Sequence, residues 1–291
     1  MKPAAFDYHR AISVEDALDH LARHEGTAKV IAGGQSLGPM LNMRLSTPGV
    51  LIDVNDLSEL AYVRPKEGWL EIGPLTRHYQ LAESAVVQRG CPLLSKAAST
   101  IGHYAIRQRG TLGGSLAHAD PAAQLPLVAM TLNAQLELRS HRGMRVLSAD
   151  DFFVSAMTTA MRHDEILHCI RFPIAQQDAS AFKLFSRRHG DFALVAVAVQ
   201  LDIQRNQVTR LQVGVGGVDS VPRTLSHHLS PFLGRTPDDA WVDEIAHATQ
   251  RAVQPVEDGQ VEGVYRQELT LTLARQAFAS AVACGQELAH V

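Results

Sequence analysis

The chain has 291 residues, 46% hydrophobic and 20% charged, enough to bury one large soluble core or two smaller ones. A formal net charge of −3 offers no basic field for nucleic acid, and Cys91, Cys169 and Cys284 lie too far apart to hold an iron–sulfur cluster or a structural zinc by themselves. Scattered thiols, a start (MKPAAFDYHRA) without the apolar core of a signal peptide and a longest apolar run of only Ala193 to Val199 predict a cytoplasmic protein with no membrane span.

Val14, Ala17, Leu18, Leu21 and Ala22 recur at helical spacing, with Ser13 and Asp16 placed to close the first turn. His20 and His24 stand four apart on that helix. No third metal ligand is evident nearby, so the plainer reading is a solvent-facing pair. Lys29 to Ala32 reads as a short strand ending in Gly33-Gly34, and Val50 to Val54 as a second one, giving a β-α-β opening with a glycine loop. Strand-like pieces at 69–72, 134–138 and 166–170 surround a helical stretch from Leu93 to about Ile101. Pro173 and Gln176-Gln177-Asp178 read as a linker, followed by strands at 181–185, 194–202 and 211–215 and by helices near 238–253 and 265–288. The predicted organisation is α+β: one domain over 1–177, with subdomains of about 1–56 and 57–177, and a smaller one of sheet plus helices over 178–291.

Two glycine loops carry the functional signal: Ala32-Gly33-Gly34-Gln35-Ser36, directly after a strand, and Thr111-Leu112-Gly113-Gly114-Ser115, after the basic stretch Arg107 to Arg109. Glycine lacks Cβ and tolerates positive φ, so backbone N–H groups in such loops can close around phosphate oxygens. Ser36, Thr111 and Ser115 add hydroxyls, and two loops can clasp a dinucleotide diphosphate from opposite sides. Each loop alone also reads as a tight turn. Neither is a P-loop or a Rossmann fingerprint, and Gly214-Val-Gly216-Gly217 reads as a strand end.

In its wording the chain resembles the FAD-binding subunits of the xanthine dehydrogenase and carbon monoxide dehydrogenase family. The likeness lies in Lys29-Val-Ile-Ala-Gly-Gly-Gln-Ser-Leu37 with Met43-Arg-Leu45 and Leu51-Ile-Asp-Val54, and in Arg109-Gly-Thr-Leu-Gly-Gly-Ser-Leu-Ala-His-Ala-Asp-Pro-Ala-Ala-Gln-Leu-Pro126. Ala181-Phe-Lys183, Arg187-Arg188, Gly190-Asp-Phe192, Val215-Gly216-Gly217, Pro222-Arg223 and Tyr265-Arg266 extend it over essentially the whole chain.

The resemblance implies a vanillyl-alcohol-oxidase-like, two-part FAD-binding domain followed by a C-terminal domain of antiparallel sheet plus helices. It implies that Lys29, Val30, Ile31, Ala32, Gly33, Gly34, Gln35 and Ser36, with Thr111, Leu112, Gly113, Gly114 and Ser115, hold the diphosphate and ribityl portions of FAD. Ile101 and Leu167 fall beside the flavin ring system, Lys183 reaches the cofactor from the C-terminal domain, and Phe192 covers one isoalloxazine face. Asp120 is a further contact, and Gln124 stands where the family often has an acidic residue. The residues also admit plainer readings: Lys183 as a surface lysine, Phe192 as core, His118 as an organiser of its loop, Asp120 as a cap of its own turn. No catalytic residue and no metal ligand is assigned to this chain.

The family's chemistry implies partners. Substrate is hydroxylated at a molybdopterin cofactor on a large subunit, and electrons cross [2Fe–2S] clusters on a small subunit to reach FAD here, in a dimer of heterotrimers. Two other readings compete: a self-contained flavin oxidase or dehydrogenase of the same fold, and a non-enzymatic nucleotide-binding module.

Overall fold

The computed structural model describes residues 2–175, 179–255, 257, 259 and 261–288. The N-terminal module runs β1 (Asp7–Arg10), α1 (Val14–Arg23), β2 (Ala28–Ile31), α2 (Leu37–Asn42) and β3 (Val50–Asp53). Its sheet has the order β1-β3-β2, all parallel. Ser13 caps α1 by accepting from the Asp16 N–H, and Val14, Ala17, Leu18 and Leu21 bury against Ile52 and Val54. The extra strand, β1, is missed by pattern because Asp7-Tyr-His-Arg10 has no apolar alternation; only backbone pairing to β3 makes it a strand.

The second module contains β4 (Val63–Lys66), β5 (Trp69–Ile72), α3 (His78–Glu83), α4 (Ala85–Gly90), α5 (Pro92–Ser99), α6 (Tyr104–Arg109), α7 (Leu112–His118) and α8 (Gln124–Thr131). It continues with β6 (Gln135–Ser140), β7 (Gly143–Ser148), α9 (Ala149–Phe152), β8 (Phe153–Ser155), β9 (Thr158–Thr159) and β10 (Ile166–Pro173). Strands β4-β5-β10-β6-β7 form an antiparallel sheet that packs through Leu70, Ile72, Leu136 and Ile170 onto α5, α7 and α8. The single helical stretch expected around 93–101 is one of six consecutive helices, several too short and too glycine-rich to show a period.

The third module has β11 (Ala179–Phe185), β12 (Val195–Gln204), β13 (Gln207–Gly216) and β14 (Arg223–Thr224) in one antiparallel sheet, with α10 (Asp239–Ala252) and α11 (Gly263–Leu288). Strand β12 opens with an apolar run, Val195 to Val199, because both its faces are covered there. Val195, Val197 and Val199 meet the core shared with α10 and α11, while Ala196 and Ala198 join the core of the second module. Gly214 and Gly216 do more than end a strand: a Cβ at Gly214 would lie 2.1 Å from Thr131 Oγ1, so their small size lets β13 press onto α8. The Lys96 ammonium donates to the Ser180 carbonyl at 2.8 Å across the same interface. The boundary expected at 177 lies outside the described residues.

Candidate functional site

The first glycine loop leaves β2 and enters α2. Gly34 has φ +69°, a left-handed conformation that turns the chain at once, and Gln35 folds back so that its amide donates to the Gly33 carbonyl at 2.7 Å. Among the described residues, the backbone N–H groups of 33–37 donate to no protein acceptor. Ser36 is the N-cap of α2, yet its hydroxyl makes no capping bond. Five successive N–H groups and a hydroxyl are therefore left without protein partners among the described residues, the donor chemistry that an anion takes. Lys29 is exposed on β2, while Val30, Ile31 and Ala32 are half-buried and carry the loop on the small core of the first module.

The second loop is built differently. The Leu112 N–H donates to Thr76 O, Gly113 to Pro74 O, Gly114 to Thr111 Oγ1 and Ser115 to Thr111 O. A Cβ on Gly113 would lie 2.5 Å from Pro74 Cβ, so that glycine serves close packing. The Leu112 side chain is fully buried in the core, so what this residue presents at the loop is its backbone. Gly114 and Ser115 keep surface, and Thr111 is the N-cap.

A polar clasp missed in the sequence joins the loops. Arg77 donates through Nη1 to Arg109 O and through Nη2 to Asn55 Oδ1, both at 2.8 Å, and Asn55 Nδ2 donates to Ala32 O at 2.8 Å. The loops also touch directly, since a Cβ on Gly33 would lie 2.0 Å from Arg109 O. The only signal available in the sequence was a polar Asn just past a strand, which is common in turns and carried no pointer to Arg77. Beneath the second loop, His78 Nε2 bonds Thr111 O at 3.0 Å, and burial pushes its pKa down to about 4. The ring is therefore neutral near pH 7, with Nε2–H as the donor.

On the other side of α7, Asp120 accepts from the Ala122 N–H at 2.8 Å, the local turn bond of the plainer reading, and also lines a cleft of about 490 Å³. Met157, Phe192, Val218 and Arg266 line the same cleft. Phe192 is 57% exposed, which excludes the core-packing reading. Arg266 on α11 donates through Nη1 to Leu194 O and Gly217 O, and Gly217 donates to Pro121 O, fixing the far wall. Lys183 is half-buried on β11 opposite Val197. Gln124 is buried at the start of α8, Leu167 at a bulge of β10, and Ile101 packs partly against the same core. His118, at the end of α7, is lowered in pKa chiefly by burial and lies near Lys29. The structure thus brings the first loop, the Arg109–Thr111 segment and the clasp together, and pairs Asp120 with Phe192 at the cleft.

The family described as "FAD binding domain in molybdopterin dehydrogenase" matches residues 4–175, and "CO dehydrogenase flavoprotein C-terminal domain" matches 180–281. The glyceraldehyde dehydrogenase medium chain of Sulfolobus acidocaldarius is 34% identical, over 96% of this chain and 99% of its own. A 6-hydroxypseudooxynicotine dehydrogenase complex subunit alpha from Paenarthrobacter nicotinovorans is 37% identical, covering 97% and 96%. Among solved structures, quinoline 2-oxidoreductase from Pseudomonas putida 86 superposes with a TM-score of 0.93 at 30% identity, covering 98% of this chain and 100% of that one. Carbon monoxide dehydrogenase from Hydrogenophaga pseudoflava gives 0.92 at 30%, covering 97% and 99%. The chain belongs to the FAD-binding medium subunits of the molybdenum hydroxylases, the oxidoreductase family that includes carbon monoxide dehydrogenase and xanthine dehydrogenase.

Proposed function

We propose that this chain is the electron-delivering subunit of a three-component hydroxylase, working with a large molybdopterin subunit and a small [2Fe–2S] subunit as a cytoplasmic dimer of heterotrimers. The observation that carries the reading is the first loop: unpartnered N–H groups at 33–37, braced by Arg77 and Asn55, in a chain matched end to end by medium subunits. When bound, FAD supplies the redox chemistry, as a carrier that can be filled one electron at a time from iron–sulfur clusters and emptied to an external acceptor.

The chain's own part is to bind and orient. Residues 33–36 take the diphosphate, Gly114 and Ser115 border it, and the positive φ of Gly34 aims the N–H groups inward. Asp120, Gln124 and Lys183 present polar groups toward the flavin side, while Ile101 and Leu167 form its apolar backing. Phe192 shields one face and excludes water at the cleft. The domain division follows at about residue 177, in step with the family matches ending at 175 and starting at 180.

Among the described residues no helix is long and apolar enough to cross a membrane. The test uses purified chain alone and with its partners. The lone chain is expected to carry flavin but no iron or molybdenum, to release all of it on denaturation, and to reduce no dye with substrate until both partners are added. Substrate-dependent dye reduction by the chain alone overturns the proposal in favour of a self-contained dehydrogenase.

A further inference from the structure

The helix pair His20 and His24 is not without companions. Strand β1 places His9 against the first turn of α1, so that His9 Nε2 lies 2.8 Å from Asp16 Oδ2 and His20 Nε2 lies 3.8 Å from Asp16 Oδ1. One donor atom from each of His9, Asp16 and His20 falls within 4.8 Å of the others. The His9 and His20 rings stack with centroids 3.5 Å apart, and the His24 ring lies 6.0 Å beyond His20, nearly parallel to it. Asp16 and His20 occupy positions i and i+4 on one stripe of the helix, His24 is its C-cap, and His9 faces them from the strand.

A carboxylate with two or three imidazoles is a zinc donor set, and tetrahedral bonds of about 2 Å separate donor atoms by roughly 3.3 Å. His9 approaches Oδ2 of Asp16 at 2.8 Å and His20 approaches Oδ1 at 3.8 Å, so each imidazole faces one oxygen of the same carboxylate. A second observation concerns His20 itself. Its Nδ1 is buried without a hydrogen-bond partner among the described residues, and its Nε2 stands beyond hydrogen-bond reach of Asp16. With Nδ1 enclosed, Nε2 is the ring atom left open to a ligand, on the side where Asp16 and His9 stand.

We propose that His9, Asp16 and His20, with solvent completing the shell, form a binding site for a divalent transition ion of the zinc type, separate from the glycine loops. Binding exchanges the His9–Asp16 hydrogen bond for metal bonds: the Nε2 proton of His9 moves to Nδ1 or to solvent, and the two rings rotate apart about their Cβ–Cγ bonds. The ion pins β1 to α1, whose His24 carbonyl accepts from the Ala28 N–H where β2 begins, the strand that carries the first glycine loop. The site thereby stiffens the module without touching the cofactor.

The test is cobalt(II) titration of the untagged, FAD-loaded full chain, read by visible ligand-field absorption, with zinc competition. One cobalt per chain is expected, displaced by zinc, with affinity falling at least tenfold in both His9→Gln and His20→Gln and unchanged in His247→Gln, a histidine on α10. Absence of a cobalt spectrum, wild-type affinity in either of the first two variants, or loss in the third overturns the site. If those variants lose circular dichroism or flavin, X-ray absorption of the zinc-loaded wild type decides. A shell with two or more imidazoles supports the assignment, and an all-oxygen shell overturns it.

Discussion

In the first glycine loop the N–H groups of residues 33–37 are uncommitted, whereas in the second those of 112–115 already serve Thr76, Pro74 and Thr111. Composition makes the two loops look equivalent, but hydrogen-bond accounting separates them. Glycine in the first frees the backbone for a ligand; glycine in the second lets one segment of protein lie against another. The lesson is that a Gly-Gly pair marks a close approach without saying what approaches, and only the fate of the N–H groups tells ligand from protein.

That contrast is open to direct attack. The largest effect is expected from Gly34→Val, where a β-branched residue is forced to φ +69° inside the first loop. FAD stoichiometry should fall to near zero while circular dichroism stays close to wild type. The matching Gly114→Val meets the Thr111 hydroxyl at 2.8 Å, disturbs a helix cap worth about 1 kcal/mol, and should retain part of its flavin. Equal flavin content in the two variants would erase the distinction between the loops.

Next in size is acid sensitivity centred on His78, the residue under the second loop. The unfolded chain takes up this proton near the ordinary 6.5, the buried ring only near 4. Between those values the unfolded state binds more protons, so stability is full above pH 6.5, falls as pH drops through the window and levels off below it. The span corresponds to about 3 kcal/mol. Urea midpoints measured across it should slope in wild type and flatten in His78→Gln; parallel slopes would remove His78 from the account.

Arg77→Ala then probes the clasp. Losing both the Arg109 carbonyl and Asn55 as partners should weaken FAD ten- to a hundredfold, about 1.4 to 2.8 kcal/mol, with little change in fold. Fluorescence recovery during flavin titration measures it, and an unchanged affinity would show that the loops align without a clasp. The smallest effect belongs to Phe192→Ala: stacking contributes about 0.5–1.5 kcal/mol, so affinity should drop tenfold or less while reoxidation changes more than reduction in the assembled complex. Stopped-flow traces of both half-reactions identical to wild type would deny the ring its shielding role.

Much of the architecture was readable from pattern. The α1 stripe, β2, β3, β5, β12 and the two C-terminal helices lie within a few residues of their expected bounds, because each carries either a periodic apolar face or a continuous apolar run. Strand β1 and α7 were not readable. Asp7-Tyr-His-Arg10 becomes a strand only through pairing, and Leu112-Gly-Gly-Ser becomes a helix only because Thr111 caps it and Pro74 receives it. The same limit applies at the site. Glycine and serine at 33–36 announce a tight loop, but the Arg77–Asn55 clasp joins residues 22 apart, and His9 meets Asp16 and His20 across a turn. Such meetings leave no periodic trace, since they depend on where two independently formed elements come to rest.

Arg266 sits near the end of the chain, yet the carbonyls it grips belong to Leu194 and Gly217, and Gly217 in turn donates to Pro121. One wall of the cleft lined by Phe192 is therefore tied off by α11, which begins at Gly263, long after both glycine loops. During synthesis the first two modules can assemble early, but the cleft is complete only when translation has reached that arginine. Cofactor capture on the flavin-ring side is expected to be a late event, and chains released just before α11 should hold the diphosphate end of FAD while its ring end rests against an unfinished wall.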